Sequence, residues 1–237
     1  MTFGMQSMRL WRAVVVVLVV VGTSGPVLPQ QAASDRAPST AVVTFTLDFP
    51  QSQPTHYSIA VDAHGHATYE CAVKTEEDSD EQTYRMEFEM TAANRDRIFE
   101  WAKEAKYFSG TVDSGNRKLA FTGAKILSYQ DGPRTATARY NYSNLEPVRQ
   151  LTTLFQNVAG TLDYGRRLTY YHRYQKLALD EELKRMQEQA KNNELSEIQG
   201  VAPVLQGILE DSSVINVVRA RARELIQMAS GTPGGRQ

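Results

Sequence analysis

Two histidines and an aspartate lie close together in the segment His56–Glu70, which reads HYSIAVDAHGHATYE. Asp62, His64 and His66 are spaced two residues apart, so in an extended chain their side chains point to the same side. Imidazole and carboxylate groups are zinc ligands, and three or four of them must converge on one ion. His56 cannot complete the set, because regular strand geometry would place it about 26 Å from His64. The three spaced residues are therefore the candidates for an open surface chelate.

The competing interpretation of the same residues is the tip of a β-hairpin. Apolar residues alternate with polar or small ones on both sides of Ala63-His64-Gly65, which is the pattern of two paired strands. Gly65 supplies the positive φ that a tight connection needs. We favour the hairpin over the metal site, and we expect no cofactor.

Sequence motifs of common enzymes are absent from the chain. It contains no Gly-x-Ser-x-Gly, His-Glu-x-x-His or Cys-x-x-Cys sequence and no phosphate-binding glycine loop. Catalytic carboxylate pairs have no local signature, so the alternative is an envelope hydrolase or metal-dependent enzyme that uses scattered carboxylates and the turn of Asp62, His64 and His66. The single cysteine, Cys71, shares a strand face with Tyr69 and is predicted to be a buried thiol. A non-enzymatic protein is the favoured interpretation.

Composition and charge restrict the partners of the protein. The 237 residues are 41% hydrophobic and carry a formal net charge of −1. A nearly neutral chain has no overall field that attracts nucleic acid, so no nucleic-acid partner is expected. The acidic run Glu76–Glu81 lacks the ligand spacing of an EF-hand and is predicted to be a charged connection between strands.

The N-terminal segment has the pattern of a secretory signal. Arg9 and Arg12 precede an uninterrupted apolar run at residues 13–21, which is too short to span about 30 Å of hydrocarbon as a helix. We predict a signal peptide or N-terminal anchor over residues 1–33 and a flexible spacer over residues 34–41. The protein is therefore expected to be extracytoplasmic, either periplasmic or secreted. The alternative is that the uncleaved segment anchors it to the cytoplasmic membrane, as its only membrane contact.

Strand-like alternation is confined to residues 42–160. Period-2 runs predict several strands and two hairpins, the second at Asp131-Gly132-Pro133. Thr91 is the predicted N-cap of a helix whose apolar stripe runs to Phe108, and a second helix is predicted over Leu145–Ala159. This part of the chain is predicted to be an antiparallel sheet with helices on one face, which is an α+β fold.

Residues 161–229 have only helical spacing and are predicted to form a C-terminal helical extension. The boundary lies at Gly160, where the alternation ends. The tail over residues 230–237 is predicted to be disordered. The predicted helices of the extension are Arg166–Ala190, Pro203–Leu209 and Val214–Met228.

The sequence from Tyr57 through Gly65 to Glu70 is followed by a predicted helix that ends in Lys106-Tyr107-Phe108 and by a second hairpin that leads into a helix. This arrangement resembles small bacterial extracytoplasmic domains of unknown function. It covers approximately Val42 to Gly160. The resemblance implies an exported bacterial protein with a compact domain of sheet and helices, and it implies no activity.

Arginine and tyrosine alternate along the first helix of the predicted extension. Such side chains supply stacking and paired hydrogen bonds at protein interfaces. The face that carries them either packs against the apolar stripe of the last helix, which we favour, or binds another envelope or secreted protein. The oligomeric state stays open. The leading expectation is a non-enzymatic binding or interaction module of the cell envelope. The partner-binding candidates are Arg166, Tyr170, Arg173, Tyr174 and Leu177.

Overall fold

A computed structural model describes residues 41–73 and 82–230 of the chain. Its strands are β1 (Val42–Asp48), β2 (His56–Asp62), β3 (His66–Val73), β4 (Gln82–Glu89), β5 (Ala124–Asp131) and β6 (Arg134–Tyr140). They form one antiparallel sheet in the order β4-β3-β2-β1-β5-β6. Its α-helices are α1 (Ala92–Glu104), α2 (Glu146–Tyr174), α3 (Leu179–Lys191), α4 (Ala202–Glu210) and α5 (Asn216–Ala229). The predicted α+β fold is confirmed.

Several predicted features lie outside the described residues. They are the N-terminal segment over residues 1–33, the spacer up to residue 40, the acidic run at 76–81 and the tail from residue 231. Among the helices that the structure describes, none is both long and apolar enough to cross a membrane.

The sheet buries one of its faces beneath helices. Phe45, Ile59 and Tyr69 are fully buried, whereas alternate residues such as Thr44 remain partly exposed. The ring of Phe45 stacks on the ring of Phe155 in α2, with centroids 5.4 Å apart. Because strand side chains alternate between faces, this one-sided burial explains the period-2 pattern of the sequence.

Both predicted hairpins are present. Val61 pairs with Ala67 across the first turn, where Gly65 has a φ of +101°. Asp131 pairs with Arg134 across the second turn. The turn residues and the alternation together specify the register, as short hairpin connections do.

Helix α1 begins as predicted and ends earlier than predicted. The side-chain oxygen of Thr91 accepts a hydrogen bond from the backbone N–H of Asn94, which confirms the N-cap. The predicted continuation of the helix to Phe108 is wrong, because Lys106, Tyr107 and Phe108 all have positive φ values. This left-handed turn redirects the chain, and Phe108 reaches the core from outside the helix.

The predicted helix boundaries near Gly160 are also wrong. Helix α2 runs without interruption through Gly160 and Gly165, so the expected boundary between sheet domain and extension lies inside one helix. The helix predicted over Arg166–Ala190 is in turn divided at Gln175, whose φ is −143° and ψ is 60°. The glycines provide room for neighbouring segments, whereas the chain breaks at a glutamine.

Gly165→Ala is expected to destabilise the protein, although alanine is the better helix former. A Cβ at residue 165 would lie 2.4 Å from Cγ1 of Val201, and such overpacking costs about 1–2 kcal/mol. Gly160→Ala is the matched control, because its Cβ would meet Leu195 at an ordinary 3.5 Å. That variant should gain up to about 1 kcal/mol from helix propensity. Urea denaturation of both variants measures the difference, and equal changes would refute the packing role of Gly165.

Candidate functional site

The end of helix α2 carries a cluster of exposed aromatic and apolar side chains. Tyr170 is 50% exposed, Tyr174 is 61% exposed and Leu177, just beyond the helix, is 94% exposed. The two tyrosine rings lie 5.2 Å apart, and the guanidinium carbon of Arg173 lies 5.2 Å from the centre of the Tyr174 ring. We call Tyr170, Arg173, Tyr174 and Leu177 the tyrosine surface.

The favoured prediction that this face packs against the last helix is wrong. Helix α5 buries Val218 and Leu225, and it packs mainly against α4, α3 and the turn Ile198–Val201. These segments cover its apolar stripe, so Tyr170, Tyr174 and Leu177 stay exposed.

Arg166 takes a structural position beside the tyrosine surface. Its guanidinium group pairs with the buried carboxylate of Asp163, with an N–O distance of 2.8 Å, and its side chain is only 24% exposed. The structure therefore places four of the five predicted partner-binding residues together on the exposed surface. The fifth is partly buried and is paired with Asp163.

An open groove of about 710 Å³ adjoins the tyrosine surface. One wall is the last turns of α2, from Gly165 to Lys176, and the other is the segment from Gly200 to Asp211. The side chains of Tyr84 and Met86, on edge strand β4, also line it. Most of the lining is apolar, and glycines at residues 165, 200 and 207 let the two walls approach each other. The groove can therefore hold apolar side chains next to the tyrosine surface.

The charged side chains at the rim of the groove differ in whether they have a partner of opposite charge. Asp211 accepts hydrogen bonds from Lys176 Nζ at 2.6 Å, from Ser213 and from His172 Nε2 at 2.9 Å. These contacts, that of Lys176 above all, hold the pKa of Asp211 well below its usual range. Arg173 forms no ion pair with any residue of the described ranges. The rim therefore retains an available positive charge, whereas its carboxylate is already neutralised.

Neither the known protein-family models nor the curated proteins match this chain. Its function must be inferred from its own surfaces.

The groove residues outside the tyrosine surface were not predicted from the sequence. They come from segments far apart in the chain, namely strand β4, the end of α2 and the residues from 200 to 211. The available signal was the recurrence of Gly165, Gly200 and Gly207 in an otherwise helical region. Glycine at such positions commonly indicates a close approach of backbones.

The predicted metal candidates form a hydrogen-bonded turn. Asp62 Oδ1 accepts hydrogen bonds from the backbone N–H groups of His64, Gly65 and His66 at 2.8, 2.9 and 3.0 Å. Desolvation raises the pKa of Asp62, but these hydrogen bonds outweigh it and the pKa lies below its usual value. His66 Nδ1 lies 2.5 Å from Glu89 Oε1, and that hydrogen bond raises the pKa of His66.

These contacts engage Asp62 Oδ1 and His66 Nδ1 within the protein. Within residues 41–73 and 82–230, no three His, Cys, Asp or Glu side chains are grouped so that they could hold a metal ion. The prediction for Cys71 is confirmed, since the residue is 1% exposed. Burial raises the pKa of its thiol, which disfavours the thiolate that a nucleophile requires.

Proposed function

We propose that the protein is an exported, non-enzymatic binding module that holds a segment of another envelope or secreted protein on the tyrosine surface. The observation that carries the proposal is the joint exposure of Tyr170, Tyr174 and Leu177 beside an apolar groove. Single exposed apolar side chains are common, but a contiguous group indicates an interaction site. Tyrosine and arginine are also the residues enriched in the energetic centres of interfaces.

The rim of the groove indicates the chemistry of the partner. Arg173 is exposed and has no carboxylate partner in the described part of the chain, and Lys176 lies beside it. An acidic side chain of the partner would supply the missing charge, while its apolar neighbours would enter the groove. We therefore infer a polypeptide segment that combines acidic and apolar residues.

Strand β4 offers this segment a further means of attachment. It is an edge strand of the described sheet, and its residues Tyr84 and Met86 face the groove. An extended peptide can pair with an exposed edge and place alternate side chains in an adjacent pocket. This geometry favours a partner segment that binds in an extended conformation.

Photo-crosslinking in the native envelope tests the proposal. A photoreactive amino acid at position 174 should capture a second polypeptide, which is then purified and assayed for direct binding. The same probe at Thr135, an exposed residue of β6, is the control. Crosslinks only within the chain, or equal capture from both positions, would overturn the proposal.

Replacing both tyrosines should weaken the binding of the captured partner. Tyr170→Ala with Tyr174→Ala removes two exposed aromatic anchors, and we expect the Kd to rise about thirtyfold. The fold should be unaffected, because both side chains are mostly exposed. Tyr142→Ala, at another tyrosine that is 42% exposed, is the matched control and should leave the Kd within about twofold. Titration calorimetry with the purified partner measures the Kd of the native protein, of the double variant and of the control variant.

A further inference from the structure

The loop that connects α1 to β5 combines internal hydrogen bonds with exposed apolar side chains. Two of its polar side chains form hydrogen bonds within the loop. Asp113 accepts a hydrogen bond from the backbone of Gly115 at 2.6 Å, and Asn116 accepts one from the backbone of Lys118 at 3.0 Å. The side chain of Asn141 donates to the carbonyl of Ala120 at 3.0 Å and so ties the loop to β6. The loop is therefore held in place by its polar groups.

Phe108 and Val112 of this loop are buried, but the apolar side chains of its second half point to solvent. Leu119 is 40% exposed and Phe121 is 59% exposed. Tyr142 and Leu145, which follow β6, are 42% and 40% exposed in the same region. The ring of Phe121 meets only an edge of Phe49, with centroids 6.1 Å apart. A loop whose backbone is fixed while its apolar residues stay exposed presents them to something outside the chain.

Two cations adjoin the exposed apolar residues. Arg117 and Lys118 precede Leu119 directly, and both are exposed. In the part of the chain that the structure describes, the ion pairs include neither of them. Their charges are therefore available to an anionic partner. We call residues 116–122 the Phe121 loop.

We propose that the Phe121 loop inserts into the surface of a bilayer that contains anionic lipids. Leu119 and Phe121 would enter the region between headgroups and acyl chains, while Arg117 and Lys118 would contact the phosphates. Exposed apolar side chains next to cations favour such an interface, because the apolar groups enter the headgroup region and the cations attract anionic lipids. This proposal is independent of the tyrosine surface, which lies on a different part of the fold.

Charge and the size of the apolar contact favour a lipid surface over a protein. The loop exposes only two large apolar side chains, Leu119 and Phe121, which is a small contact for a stable protein interface. Lipids adapt to such a small contact, and their headgroups complement the two free cations of the loop. A protein partner at this loop is the competing outcome of the test.

Site-specific fluorescence on the full chain tests the proposal. An environment-sensitive nitrobenzoxadiazole label is placed on Phe121→Cys, and the native Cys71 is buried and therefore protected. The probes are vesicles of phosphatidylcholine alone and vesicles of phosphatidylcholine and phosphatidylglycerol in equal amounts. Leu177→Cys carries the same label as a control, because residue 177 is 94% exposed and outside the loop. A label on the loop reports its own contact with lipid, whatever the N-terminal segment does.

The expected result is a blue shift and increased emission at position 121 with the anionic vesicles only, and no change at position 177. Adding Arg117→Glu and Lys118→Glu should weaken the fluorescence response at position 121 at least fivefold for each positive charge removed. Equal responses at both positions, or a response that survives the charge reversal, would overturn the proposal. So would a label that responds to a purified envelope protein and not to lipid.

Discussion

Arg167→Met will lower the free energy of unfolding by about 3 kcal/mol. Arg167 lies between two carboxylates: its Nε donates to Glu182 Oε1 at 2.6 Å, and its Nη1 pairs with Asp163. The Asp163 and Glu182 side chains are only 6% and 4% exposed. Without the guanidinium group, Asp163 keeps only Arg166, Glu182 loses its close partner, and neither carboxylate regains water unless α2 and α3 separate. Urea denaturation followed by far-ultraviolet circular dichroism measures the loss.

Arg185→Met provides the matched control for this prediction. Arg185 approaches the same Glu182 at 3.6 Å, but its side chain is 58% exposed. An exposed ion pair contributes less than about 1 kcal/mol, so this variant should change little. The buried carboxylates therefore predict a large difference between two identical substitutions. A similar loss in both variants, or a loss below about 1 kcal/mol for Arg167→Met, would contradict the argument.

The strands could be predicted from the sequence because a sheet with one buried face has apolar residues at every second position, a spacing that helices do not have. Phe45 and Ile59 are buried on the face that packs against helices, and their neighbours on the other face are polar or small. Gly65 then identifies the turn, since its φ of +101° is costly for other residues. Each of these signals depends on residues that are close together in the sequence, so it can be recognised from the sequence alone.

The helix boundaries depend on contacts that are distant in the sequence. Gly160 and Gly165 look like breaks, yet α2 continues through both because Leu195 and Val201 pack against them. The chain breaks at Gln175, which has no unfavourable helix propensity. Tertiary packing determines where these helices end, and the pattern of residues along the sequence does not reveal that packing.

The candidate site was predictable in its chemistry and not in its exposure. Arginine and tyrosine at helical spacing made Tyr170, Arg173 and Tyr174 candidates for partner binding. Whether they face solvent depends on where the last helix packs, because α5 lies against α3 and α4 and leaves these side chains exposed. The groove requires Gly165 and Val201 to meet, and their positions in the sequence carry no sign of that contact.

Glu197→Ala will lower the free energy of unfolding by about 3 kcal/mol, because it leaves several hydrogen-bond donors without an acceptor. Glu197 is 5% exposed and has a φ of +62°. Its carboxylate accepts hydrogen bonds from the Thr91 backbone at 2.9 Å, the Thr91 hydroxyl at 2.7 Å and the Asn94 amide at 2.5 Å. It thus joins the N-terminus of α1 to the segment that precedes α4, and the helix dipole favours its negative charge there.

Two further variants separate this role from a general effect of substitution. Glu197→Gln keeps the shape and one acceptor oxygen, so it should lose about half as much stability as Glu197→Ala. Glu194→Ala, at an exposed position of the same segment, should stay within about 0.5 kcal/mol of the native protein. Equal losses at residues 194 and 197 would show that the carboxylate does not join the two segments.

The same variant links stability to the proposed binding site. Glu197 positions the turn Ile198–Val201, whose residues Gly200 and Val201 line the groove. Arg167 is not one of the groove-lining residues, and its ion pairs are with Asp163 and Glu182. Binding is compared at a temperature where both variants remain folded. Glu197→Ala should raise the Kd of the captured partner about tenfold, and Arg167→Met should leave that Kd within about twofold of the native value. Equal losses of affinity would show that binding follows overall stability, and that the groove wall plays no separate part.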